Sequence, residues 1–154
     1  MATLYLSLGS NVGDRVQNLE SAIAKIDSAI GKVQARSSVI ETLPWGFASS
    51  NTFMNMAVSV ETNLSPNMVL KMINRIETEL GRTSKSHNGI YSDRPIDIDI
   101  LLYDNCCIDT EELTIPHKLM TEREFVLAPL AQIAPNVIHP GLGKSITELL
   151  QSIK

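Results

Sequence analysis

The chain has 154 residues, with 13 Lys and Arg against 17 Asp and Glu and a formal net charge of −4. That is the size of one domain, and it lacks the basic excess of a general nucleic-acid binder. A hydrophobic content of 44% excludes a disordered chain, and no apolar run approaches the roughly 18–20 residues of a membrane span. Aromatic residues make up only 5%, so the core must be aliphatic and the position of each ring is informative. Trp45, Phe47 and Phe53 lie close together. No basic residue precedes Arg15, so the N-terminus does not read as a secretory signal. Cys106 and Cys107 are adjacent and match no zinc spacing, which indicates a reduced, cytoplasmic protein.

In chain order, Thr3 to Gly9 places Leu4, Leu6 and Leu8 on one face and predicts a strand. Val16, Leu19, Ile23, Ile26 and Ile30 follow at helical spacing, with Asp14 as N-cap and Gly31 closing the helix. Val33 to Thr42 reads as a second strand, and Leu43 to Asn51 as a loop. Phe53 to Glu61 is a third strand, with Met54, Met56, Val58 and Val60 in one phase. Ser65-Pro66 is a helix start, and Val69, Met72, Ile73, Ile76 and Leu80 form the stripe of a helix ended by Gly81.

A polar loop leads to a fourth strand, Pro95 to Tyr103. A short strand pair, Cys106 to Ile108 and Leu113 to Ile115, is expected next. A helix over Glu122 to Ile133, interrupted or bent near Pro129, and a last one from Ser145 complete the chain. The order strand, helix, strand, strand, helix, strand predicts an α+β, ferredoxin-like β-α-β-β-α-β sandwich. Helices pack on one face of an antiparallel sheet, with a short C-terminal helical region in addition. The whole chain, 1–154, is expected to form one catalytic domain, with no room for a fused second enzyme.

The chemistry concentrates in Arg94-Pro95-Ile96-Asp97-Ile98-Asp99-Ile100-Leu101. On a strand the isoleucines enter the core, and Asp97 and Asp99 project together from the other face, about 7 Å apart. Such a pair suits Mg²⁺ when phosphate oxygens fill the remaining positions. Taken alone, the spacing is better explained as the solvated acidic face of an amphipathic strand. Arg82, Arg94, His117 and Arg123 shift that balance, because metal plus guanidinium forks is what a polyphosphate requires. Phe53 and Asn55 share a strand face, pairing an aromatic plane with an amide that can read the edge of a flat heterocycle. The same residues could simply cover the end of a core. Gly141-Leu142-Gly143-Lys144-Ser145 looks like the end of a P-loop, but the position that must be glycine is Ile138. The run predicts a tight turn opening the last helix.

These motifs, in order, are Leu8-Gly9-Ser10-Asn11 with Gly13-Asp14, Phe53-Met54-Asn55, Arg75-Ile76-Glu77 with Gly81-Arg82, and Arg94 with Ile96 to Leu101. Pro116-His117, Glu122-Arg123 and Phe125-Val126-Leu127-Pro129-Leu130 complete the set. Over nearly its whole length the chain resembles the 6-hydroxymethyl-7,8-dihydropterin pyrophosphokinases of folate biosynthesis. The resemblance implies transfer of the diphosphate of ATP to the pterin hydroxymethyl group, with release of AMP. It implies two Mg²⁺ ions on Asp97 and Asp99, with Arg82 and Arg94 stabilising the transferring group. Phe53 and Phe125 would sandwich the pterin, Asn55, Thr42 and Trp45 would read its edge, and Asn11 would lie near the hydroxymethyl group. Leu70, Asn74, Glu77, Ile100, His117, Lys118 and Arg123 would join Arg82 and Arg94 around ATP.

This chain departs from the family pattern at Tyr91-Ser92-Asp93, where Trp-Gly-Pro is common, and at Lys118 and Phe53, where tyrosine is common. ATP and the pterin are the expected partners of a monomer that binds neither nucleic acid nor membrane. Two other classes fit the residues less well: a nucleotide-sensing or docking module without catalysis, and a kinase that moves only the γ-phosphoryl group and releases ADP.

Overall fold

The computed structural model describes residues 1–43, 52–81 and 95–154. The elements are β1 (Ala2–Ser10), α1 (Arg15–Ala29), β2 (Lys32–Arg36), β3 (Ile40–Thr42), β4 (Phe53–Thr62), α2 (Pro66–Glu79) and β5 (Asp97–Tyr103). They are followed by β6 (Ile108–Asp109), β7 (Thr114–Ile115), a 3-10 turn (Met120–Glu122), α3 (Glu124–Ile133) and α4 (Ile146–Ser152). The main sheet runs β2-β4-β1-β5 with every neighbouring pair antiparallel, and β3 also pairs with β4. This is the ferredoxin-like order expected from the sequence.

The helix starts follow their capping residues. The Asp14 carboxylate accepts from the Gln17 amide and the Ser65 hydroxyl from the Met68 amide. Ser145 and Glu148 form a reciprocal capping box on α4. Gly31 acts through space rather than through a left-handed turn, since a Cβ there would overlap the Glu61 carbonyl of β4.

Two expected elements differ. The strand expected over Val33 to Thr42 is two strands. At the break, the Ser37 amide donates to the Ala57 carbonyl and the Ser37 hydroxyl accepts the Ala57 amide. Ser38 bonds Gln132 of α3. Side-chain hydrogen bonds at Ser37 and Ser38 thus take over part of the pairing at the break. The C-terminal helix instead runs unbroken through the buried Pro129. The expected tight turn before α4 is present. His139 Nδ1 accepts the amides of Gly141 and Leu142, and Gly143 takes a positive φ of 69°.

Leu4, Leu6 and Leu8 pack with Met56, Val58, Val60, Ile96, Ile98 and Ile100 under α1 and α2. The two main helices therefore share one face. The C-terminal region covers part of the other, where Ala57, Leu101 and Leu102 meet Met120, Val126, Leu127, Leu130 and Leu149. Leu101 and Leu102 both reach this second core because the β1–β5 register shifts by one residue there, Tyr5 facing Leu102 and Leu6 facing Ile100.

Candidate active site

The second sheet face is apolar only where α3 and α4 cover it. Its other end is polar, and strand register builds it. Gly9 of β1 stands between Asn55 of β4 and Asp97 of β5, and Ser7 stands between Ala57 and Asp99. Asp97 and Asp99, both half-buried, therefore share one face beside Asn55, as strand alternation predicts.

Gly9 forms the floor of this end. A Cβ on it would sit 3.1 Å from Asn55 Oδ1 and 3.5 Å from Phe53 Cδ1, so only glycine lets those side chains lie down over β1. Asn55 and Phe53 are both buried, and Asn55 Nδ2 donates to Thr42 Oγ1 at 2.8 Å. The ring and the two polar groups predicted to read a heterocycle are thus one assembly. The strand ends that carry them are tied together from outside. Arg15 donates to the Thr52 carbonyl and hydroxyl and pairs with Glu41, to which the Thr52 hydroxyl also donates. The Thr52 hydroxyl and the Arg15 guanidinium hold the Glu41 carboxyl below the usual range. Asn11, almost fully buried, follows directly from β1.

His117 closes the acidic side. The β5 bulge leaves the Leu101 carbonyl to accept the His117 amide at 3.0 Å. Nδ1 of the ring accepts the Leu119 amide at 3.1 Å, so the neutral imidazole carries its proton on Nε2. Nε2 faces Asp99 Oδ1 at 3.9 Å, within charge attraction but beyond a hydrogen bond. Lys118 beside it is exposed. Arg123 is buried, with its guanidinium carbon 5.6 Å from the centroid of the Phe125 ring. One predicted nucleotide contact therefore stacks on one predicted pterin contact.

The remaining nucleotide candidates stand elsewhere. Ile100 is buried in the helix-side core, Leu70 packs against that core, Asn74 is exposed on α2, and Glu77 is buried. All four lie across the sheet from the aspartates, so the outer edge of β5 separates the two groups. Trp45, Arg82 and Arg94 lie outside the described residues, as do Phe47 and Tyr91-Ser92-Asp93. Sequence reasoning did not identify Gly9 as the floor or Leu101 as the bulge that seats His117. Glycine beside serine in a strand was the available signal for the first. The second had none.

Among the described residues no three His, Cys, Asp or Glu side chains converge into a ready-made metal cage. Two carboxylates on one strand face are instead the partial oxygen set that Mg²⁺ uses when a phosphate substrate completes its shell.

The chain matches the family model of 7,8-dihydro-6-hydroxymethylpterin-pyrophosphokinase (HPPK) over residues 5–135. It belongs to the HPPK family. It is 45% identical to the 2-amino-4-hydroxy-6-hydroxymethyldihydropteridine pyrophosphokinase of Porphyromonas gingivalis over 141 residues, 91% of this chain and 95% of that one. The enzyme of the same name from Aquifex aeolicus is 41% identical over 148 residues, 96% of this chain and 90% of that one. Among solved structures, Plasmodium falciparum HPPK-DHPS superposes with a TM-score of 0.80 at 18% identity, over 98% of this chain. This chain spans 44% of that longer protein, and the likeness there is one of fold. The HPPK family membership agrees with the motifs.

Proposed function

We propose that this chain transfers the diphosphate of ATP to the hydroxymethyl group of 6-hydroxymethyl-7,8-dihydropterin, releasing AMP, as a step in building folates. The observation that carries the reading is the row Asn55–Gly9–Asp97. It sets a cradle of aromatic ring and amide across Gly9 from the aspartate pair, on the same sheet face. A pterin held there would have its hydroxymethyl group within reach of phosphates gathered by Asp97 and Asp99. The pterin hydroxyl oxygen bonds to the β-phosphorus and gives up its proton to water as the bond from that phosphorus to the α–β bridging oxygen breaks, leaving AMP.

In this reading Phe53 and Phe125 hold the faces of the ring. Asn55, Thr42 and Trp45 read its edge, and Asn11 orients the hydroxymethyl end. Asp97 and Asp99 would hold two Mg²⁺ ions, which would offset phosphate charge. Arg82 and Arg94 offset the charge that develops on the transferring group, and His117, Lys118 and Arg123 hold the nucleotide. The chain acts as a cytoplasmic monomer, and residues 1–154 serve as one catalytic domain. No described helix is long and apolar enough to cross a membrane.

Incubation with ATP, Mg²⁺ and the pterin decides the reaction type. AMP supports the reading, ADP indicates a γ-phosphoryl kinase, and unchanged nucleotide indicates a binding module. Asp97→Ala and Asp99→Ala are each expected to lower AMP production by roughly 100-fold or more with the circular dichroism spectrum unchanged. Near-normal turnover in either variant overturns the assignment.

A further inference from the structure

Glu77 is the one carboxylate buried among the described residues. Burying an ionised carboxylate is unfavourable unless hydrogen bonds compensate it. From α2 its Oε2 accepts the backbone amide of Ile98 at 2.9 Å. Ile98 lies between Asp97 and Asp99 on β5, an edge strand of the main sheet. The Ile98 amide is directed out of the sheet edge toward α2, and Glu77 occupies the place where a further strand would accept it. The same contact fixes the backbone midway between the two aspartates. The Ile98 side chain is meanwhile locked in the helix-side core. The strand can then neither slide nor twist without breaking one of these anchors.

We propose that Glu77 is a positioning residue for the aspartate pair. It acts through the Ile98 amide to hold both carboxylates in place for the divalent ions, and it does not act as a nucleotide contact. This rests on the reading of Asp97 and Asp99 as the metal pair. What matters is an acceptor oxygen at that point, so glutamine serves in place of glutamate and leucine does not.

The test measures Mn²⁺ binding by electron paramagnetic resonance in the full chain with a non-hydrolysable ATP analogue, alongside hydrogen exchange of the Ile98 amide. Glu77→Leu is expected to weaken Mn²⁺ binding at least tenfold and to speed Ile98 exchange. Glu77→Gln is expected to stay within threefold of the parent in binding and to keep the amide protected. Glu77→Asp, one methylene short of the amide, falls between and stands in for the leucine variant if that one does not fold. Parent-like Mn²⁺ binding in folded Glu77→Leu overturns the proposal, as does a Glu77→Gln variant as damaged as Glu77→Leu. Asp97→Ala separates the two levels. If it loses Mn²⁺ and Glu77→Leu does not, only the positioning role fails. If it binds as the parent does, the metal reading fails and the positioning role with it.

Discussion

Gly9 shows how a residue without a side chain can shape the surface proposed to hold the pterin. Asn55 and Phe53 settle over it because nothing projects from β1 at that point. Gly9→Ala leaves the strand register available, since an extended backbone accepts alanine. It would push Asn55 off its 2.8 Å bond to Thr42. The expected outcome is a rise in KM for the pterin of roughly tenfold or more, matching about 1.4 kcal/mol or more of lost binding, with KM for ATP little changed. Steady-state kinetics with each substrate varied checks this. Equal effects on both substrates would remove Gly9 from the pterin side. His117 teaches a related lesson, because its tautomer is set by a backbone amide two residues on and not by the aspartate it faces.

At the scale of the element, β4 is the strand on which the fold depends most, pairing with β1, β2 and β3. It keeps its ladder across the gap between β2 and β3 only because Ser37 supplies both backbone and hydroxyl partners to Ala57. Ser37→Ala removes the hydroxyl that accepts the buried Ala57 amide, and is expected to destabilise the chain by about 1–3 kcal/mol in urea unfolding. A loss under about 0.3 kcal/mol would show that water replaces the hydroxyl. The periodicity of Val33 to Thr42 could not reveal this break, because a serine that bonds across strands looks like one facing solvent. The starts of α1, α2 and α4 were legible, since Asp14, Ser65 and Ser145 bond locally and local bonds leave local signals.

Across the whole molecule, the turn before α4 carries a pH dependence. Burial holds the His139 pKa below its ordinary value of about 6.5, and its Nδ1 must stay unprotonated to accept the Gly141 and Leu142 amides. The unfolded chain therefore binds the proton first. Stability is full above about pH 6.5 and declines as pH falls below it, by no more than about 1.4 kcal/mol per pH unit. Glu20, Glu41, Glu79 and Glu148 also have lowered pKa values, through Arg36, Thr52 with Arg15, Lys25 and Ser145 respectively. Their contributions are lost only below about pH 4.3, so the two effects separate. Urea midpoints at pH 7.0 and 5.5 should fall for the parent and stay nearly level for His139→Asn. An equal fall in both would assign the dependence to another group.

Sequence by itself determined the order of the main elements apart from the break between β2 and β3, the caps of α1, α2 and α4, the alternation that sends Asp97 and Asp99 to one face, and the family. All of these depend on spacing along the chain or on local hydrogen bonds, which residue types express directly. Only the tertiary structure decided which strands stand beside which, and hence that Gly9 joins Asn55 to Asp97 in one row. It also decided that one extra residue at Leu101 seats His117, and that Glu77 turns into the fold to meet Ile98. Each of these is a contact between residues far apart in the chain, and its partner is chosen by packing and register. The acidic strand and the scarce rings were visible from the start. Their assembly into one site is a property of the sheet.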